Sequence, residues 1–180
     1  VLEACVPVWA PRETLASLGP RNPLYWHLLV EAKKLAYADL FAHNADPEFN
    51  PPPIDRLLSP GYAKSLCSRV SVDRAAISAA PVRSATPPGD TIVLSTADRF
   101  GNMVAWVNSN YSAFGSGLTV PGYGFVLHNR GALFTLDPVH PNAIAPHKRP
   151  FNTLSAGFVM KDNRPLMTIT LMGGIMQAQG

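Results

Sequence analysis

Thr91-Ile92-Val93-Leu94-Ser95-Thr96-Ala97-Asp98-Arg99-Phe100-Gly101-Asn102-Met103-Val104-Ala105-Trp106-Val107-Asn108-Ser109 reads as two strands around a turn. Residues 91–96 and 103–109 are apolar and partly β-branched, which suits a half-buried pleated surface. Asp98, Gly101 and Asn102 between them supply turn chemistry, so a hairpin is expected. Further strands are expected over 125–128, 158–160 and 166–171, with Lys161-Asp162-Asn163-Arg164 turning the last pair. Gly173-Gly174 closes the final strand, and 175–179 has the composition to open a helix.

Upstream of Thr91 the language changes. Residues 71–90 are small, polar and proline-containing, ending in Ser84-Ala85-Thr86-Pro87-Pro88-Gly89-Asp90, and read as an exposed linker. Before it the chain is helical and loop-rich. Pro23 suits the first turn of a helix over 24–41, whose apolar positions spread widely enough to pack on more than one side. Ser59-Pro60 caps and starts a second helix running to about Val70. The expected class is α+β, with a helical first half followed by a mainly antiparallel sheet. The expected division is 1–90, with its linker at 71–90, and 91–180.

Composition excludes several functions. The chain has 180 residues, 47% of them hydrophobic and 15% charged, enough apolar side chains for a core. Net charge is +3 and the basic residues are scattered, so nucleic-acid binding is not expected. No apolar run approaches the roughly 20 residues that cross a bilayer, so no membrane partner is expected. Cys5 and Cys67 have no ligand-like spacing, and His128, His140 and His147 share none either, so no metal and no cofactor is expected. One disulfide stays open; two buried free thiols are the preferred reading. Trp9, Trp26 and Trp106 read as packing residues, and Lys148-Arg149 as a structural or surface pair.

A proline-rich joint running straight into Asp90-Thr91 is the feature that bears on chemistry. A threonine opening a strand is ordinary. Cleavage of the 90–91 bond, however, would leave Thr91 with both a hydroxyl and a free α-amine. That amine, with a reference pKa of about 7.7–8.0, could take the hydroxyl proton and so activate a weak nucleophile.

The ordered set Asp90-Thr91, Asp98-Arg99-Phe100-Gly101-Asn102, Ser109, Phe114-Gly115-Ser116-Gly117, Pro121-Gly122-Tyr123-Gly124, Asn129-Arg130-Gly131, Pro146-His147-Lys148-Arg149-Pro150 and Met172-Gly173-Gly174 resembles the start of the small subunit of the gamma-glutamyltranspeptidase family of N-terminal-nucleophile hydrolases. Upstream, 28–39 and 57–63 resemble helices near the end of that family's large subunit. The resemblance implies part of a four-layer αββα sandwich and a small-molecule amide substrate. It implies Thr91 as the self-freed nucleophile, with cleavage between Asp90 and Thr91, and Ser109 as the supporting hydroxyl. Gly173 and Gly174 would form the oxyanion hole; a simple strand-to-helix turn is the plainer reading of the pair.

The substrate positions depart from the family pattern. Tyr111, Arg130 and Leu133 stand where small polar, glutamine and aspartate side chains hold the amino-acid end of a gamma-glutamyl group, and Asn152 and Thr153 replace paired serines. Arg130 offers a fork suited to a carboxylate; it is equally readable as a solvated turn arginine. Asn129-Arg130-Gly131 resembles the branch containing oxamate amidohydrolase and glutathione-hydrolase-like proteins. Ile92 and Val93, in place of threonine and histidine, simply continue the strand. The implied activity is hydrolysis of gamma-glutamyl or related amides through an acyl-enzyme. The alternative is an unprocessed or truncated non-catalytic member. Implied partners are the remainder of the family fold and, in some assemblies, a second copy; a cytoplasmic setting is preferred over a periplasmic one.

Overall fold

The structure, a computed structural model, describes residues 2–9, 14–77, 91–177 and 180. The chain falls into two compact units, Val1–Val82 with Asp137–Ala143, and Arg83–Leu136 with Ile144–Gly180.

The first unit is helical: α1 (Leu2–Trp9), α2 (Leu15–Leu18), α3 (Pro23–His43), α4 (Ile54–Leu57) and α5 (Pro60–Cys67). The long helix starts where the sequence directs it. Asn22 Oδ1 accepts the Leu24 amide at 3.0 Å, and Pro23 occupies the first turn without losing a bond. Leu28, Glu31, Ala32 and Leu35 make one buried stripe, whereas Trp26 and Val30 stay exposed, so a single face of α3 is covered. Ser59 caps α5 as expected, accepting from the Tyr62 amide at 3.1 Å.

Two expectations need correction in this unit. The cysteines are not free thiols: α1 lies against α5, which brings Cys5 and Cys67 to 5.1 Å between Cα atoms as a buried disulfide. A separation of 62 residues hid that neighbourhood. Segment 71–77, read as linker, has exposed side chains but a tethered backbone. Buried Glu31 binds Lys34 Nζ at 2.6 Å and accepts the Ala76 amide at 3.3 Å, Lys34 donates to the Ala76 carbonyl at 2.8 Å, and His27 Nε2 donates to the Ser71 carbonyl at 2.8 Å. A carboxylate that deep requires such partners. Residues 78–90 of the expected linker lie outside the described residues.

The second unit is built on two antiparallel hairpins, β1 (Thr91–Ala97) with β2 (Met103–Ser109), and β3 (Ala156–Lys161) with β4 (Arg164–Thr170). The first runs in register from Thr91 opposite Ser109 to Ala97 opposite Met103. Its turn is organised by Asp98, whose carboxylate accepts the Phe100 and Asn102 amides at 2.8 and 2.9 Å and the Asn102 side-chain amide at 2.7 Å. The second hairpin turns through Asp162 and Asn163, both at positive φ, as a two-residue turn demands. Its register shifts beside Pro165, which has no amide to give the ladder. The hairpins touch, with Ser95 and Thr170 hydroxyls 3.2 Å apart.

The strand expected over 125–128 does not form. Val126 makes an isolated bridge to Thr119, because Gly122 and Gly124 at positive φ turn the chain too tightly for a longer ladder. The helix expected over 175–179 is a 3-10 turn, Gly174–Met176, and 178–179 lie outside the described residues. The outer faces of the strands, including Ile92, Leu94, Trp106 and Phe158, are exposed. The buried side chains of this unit are instead Arg130, Leu133, Phe151, Thr153 and Gln177, gathered in the irregular segments between and after the strands. Among the described residues no helix is long and apolar enough to cross a membrane.

Candidate active site

Register makes the first contact of the site. Because β1 and β2 pair from their outer ends, Thr91 and Ser109 face each other, and Thr91 Oγ1 donates to Ser109 Oγ at 2.9 Å. The same Ser109 oxygen accepts the Tyr111 backbone N–H at 2.9 Å, a side-chain-to-backbone bond two residues on that bends the chain out of the strand. Tyr111 emerges with φ of +78°, a conformation that disfavours any residue with a Cβ.

That bend brings Tyr111 to Arg130. The guanidinium carbon lies 5.3 Å from the tyrosine ring centre, within cation–π range, and Nη1 donates to Thr153 Oγ1 at 2.7 Å. Arg130 is only 7% exposed, and its Nη2 has no hydrogen-bond partner among the described residues. It is thus not the solvated turn arginine that the sequence allowed. Burial holds its guanidinium below the ordinary arginine range, with the Tyr111 hydroxyl partly offsetting the effect. It sits in the 3-10 turn Arg130–Leu133, and Leu133 of the same turn is buried.

Thr91, Ser109, Tyr111, Arg130 and Thr153 therefore form one continuous run of contacts. Asn152 is next in the chain to Thr153 but exposed, its Oδ1 accepting the Leu154 amide at 3.1 Å. Gly173 and Gly174 follow β4 with φ of +127° and +57°, values that glycine adopts without strain. Their carbonyls accept from Met176 and Gln177, which folds the 3-10 turn and fixes the orientation of the peptide units around it. Asp90 lies outside the described residues. Among the described residues no cluster of metal-binding side chains occurs.

Two supporting residues escaped the sequence reading. Asn129 accepts the Ser112 amide at 3.0 Å and donates to the Ser112 and Gly115 carbonyls at 3.1 and 2.9 Å, holding the loop beyond Tyr111. Its place in Asn129-Arg130-Gly131 was the available signal. Gln177, 5% exposed, accepts the Ser155 amide at 2.8 Å and ties the glycine turn to the segment carrying Thr153. Nothing in its local sequence marks it.

Residues 8–180 match the family model described as Gamma-glutamyltranspeptidase. The chain belongs to the gamma-glutamyltranspeptidase family. It is 37% identical over 155 residues to the glutathione hydrolase-like YwrD proenzyme of Bacillus subtilis, covering 86% of this chain and 29% of that protein. It is 39% identical over 153 residues to the oxamate amidohydrolase proenzyme of Klebsiella pneumoniae, covering 85% of this chain and 28% of that one. Cephalosporin acylase from Bacillus halodurans superposes with a TM-score of 0.76 at 33% identity over 99% of this chain and 31% of its own. The chain thus has the α+β fold of this group of N-terminal-nucleophile hydrolases, and spans under a third of the length of these gamma-glutamyltranspeptidase relatives.

Proposed function

We propose that this chain carries the catalytic threonine of an amide-bond hydrolase, acting on gamma-glutamyl or related small amides. The observation that carries the reading is the 2.9 Å bond from Thr91 Oγ1 to Ser109 Oγ at the mouth of a paired hairpin. In the activating step Thr91 Oγ attacks the Asp90 carbonyl, the C–N bond breaks, and an ester forms while the α-amine of Thr91 is released. Water hydrolyses that ester, leaving Thr91 as a new N-terminus. In turnover the same oxygen attacks a substrate amide, with its proton taken by the α-amine and passed to the departing amine. Amides of the Gly173-Gly174 turn stabilise the oxyanion. Water then releases the acid from Thr91. The proenzyme names of the relatives support the self-cleavage step.

Intact-mass measurement after expression tests the reading. Two fragments divided before Thr91 are expected, and Thr91→Ala should stay whole and inert. Splitting that persists in Thr91→Ala would remove Thr91 from the role. The alternative reading is an unprocessed, non-catalytic member of the family. A single species that never splits and hydrolyses no amide would establish that reading instead.

A further inference from the structure

We infer that Gln177 is a positioning residue for the glycine turn: it draws the chain off the end of β4, and so leaves the Gly173 and Gly174 amides free and oriented to donate. The inference deepens the reading of Thr91 as nucleophile and rests on it for the purpose of those two amides.

The ladder of the second hairpin ends at Ala156 opposite Thr170. One residue beyond, the Ser155 amide donates to Gln177 Oε1 at 2.8 Å, so a side-chain oxygen stands where a strand carbonyl would continue the pairing. With that donor served, the residues after Thr170 are not drawn into the sheet. They turn away through Gly173 and Gly174, at φ of +127° and +57°. Both glycine carbonyls accept, from Met176 and Gln177, whereas neither glycine amide donates to a partner among the described residues. Two adjacent N–H groups are thus unspent, although backbone amides are ordinarily paired.

Close packing does not hold this turn. A Cβ added at Gly174 would meet nothing within 4 Å, and one at Gly173 only Met176 Cβ at 3.5 Å. Glycine also resists backbone rotation least of all residues. Hydrogen bonds orient the turn instead, and Gln177 makes two of them. Its backbone N–H donates to the Gly174 carbonyl at 3.2 Å, and its side chain reaches Ser155 at the entry to β3. The residue is 5% exposed, and its Nε2 has no partner among the described residues. A buried amide with an idle donor is unfavourable where an apolar side chain of similar size would not be, so the bond to Ser155 is what the amide contributes. The turn also follows a strand that touches the nucleophile's own. β1, which begins at Thr91, meets the end of β4 where the Ser95 and Thr170 hydroxyls lie 3.2 Å apart. Oxyanion donors act by being fixed before charge develops, so loosening them lowers kcat and spares substrate binding.

Two measurements decide the matter. On the Thr91→Ala chain, backbone amide relaxation reads the turn with no cleavage intervening. The Gly173 and Gly174 amides should show order parameters of about 0.85, falling below about 0.6 in Gln177→Leu. Amides of the β3–β4 ladder should keep their values, which a general loosening of the fold would not allow. Gln177→Glu keeps the reach and an acceptor oxygen and should recover the order. Gln177→Asn stops one methylene short of the Ser155 amide and should not; it takes the place of Gln177→Leu if that variant fails to fold. In the chain that retains Thr91, Gln177→Leu should lower kcat for gamma-glutamyl para-nitroanilide by about tenfold to a hundredfold, with KM held within about twofold. Glycine amides already mobile in the Thr91→Ala parent, or equally ordered in Gln177→Leu, overturn the proposal, as does a kcat that Gln177→Leu leaves unchanged. A chain with Thr91 that turns over no anilide counts against the nucleophile, and the order parameters then decide Gln177 alone.

Discussion

Ser109 is the residue through which the site is assembled, because one oxygen serves two donors. It accepts from the Thr91 hydroxyl and from the Tyr111 amide, and so sets both the orientation of the Thr91 hydroxyl and the bend that carries Tyr111 to Arg130. Ser109→Ala leaves two partly buried donors without an acceptor, a loss of about 1–3 kcal/mol. If that loss falls on the reacting geometry, self-cleavage should slow by roughly tenfold to a hundredfold. Ser109→Thr keeps the oxygen and should retain most of the rate. Timed intact-mass spectra of the two variants provide the check, and equal rates in Ser109→Ala and the unsubstituted chain would deny the residue any orienting role. At this scale the sequence was informative where a motif carried the residue. The proline-rich joint drew attention to Thr91, and the resemblance of the ordered motifs to Thr91, Ser109 and Arg130. The run of contacts that joins Tyr111 to Arg130 and Thr153 was not legible, because it depends on a left-handed backbone at a tyrosine, which no propensity foretells. Gln177 was invisible for a related reason: its partner, the Ser155 amide, is 22 positions away in sequence.

For the elements, the β1–β2 hairpin matters because its register alone places Thr91 against Ser109; a slip of one residue would turn both to the opposite face. Asp98 holds that register from the far end. The Asn102 side-chain amide, then the Asn102, Phe100 and Gly101 backbone amides, all favour the ionised carboxylate and lower its pKa below the ordinary value. A depressed carboxylate pKa stabilises the fold above its unfolded value of about 3.9, and that contribution disappears as pH falls through the folded value. Asp98→Asn should therefore lower the melting temperature at pH 6, and the gap from the unsubstituted protein should close as pH falls below about 4. A gap of constant size across that range would show that charge at Asp98 does not hold the turn. The hairpin and its turn were readable in sequence because apolar alternation and turn residues act locally. The short bridge Thr119–Val126 was not, since two positive-φ glycines override the apolar run 125–128. The glycine turn after β4 was located correctly but is shorter than the helix expected there.

Across the molecule, long-range pairing is what sequence reading missed most plainly, and Cys5–Cys67 is the clearest instance. The bridge closes a loop of 62 positions and joins α1 to α5, with Trp9 Nε1 donating to the Cys67 carbonyl at 2.8 Å beside it. A loop of that length restricts the unfolded chain enough to contribute about 4 kcal/mol. Both cysteines belong to the first unit, whereas Thr91, Ser109, Tyr111, Arg130 and Thr153 all belong to the second. Reduction should therefore speed amide hydrogen exchange in α1 and α5 and leave the β1–β2 ladder, with its Thr91–Ser109 pair, exchanging as before. The paired substitution Cys5→Ala with Cys67→Ala should reproduce the effect without reductant, and thiol labelling of the denatured, unreduced chain should find no reactive cysteine. Two labelled thiols would mean that the bridge does not form. Faster exchange in β1 and β2 on reduction would mean that the site depends on the helical unit for its stability, and the autonomy of the hairpin would have to be given up.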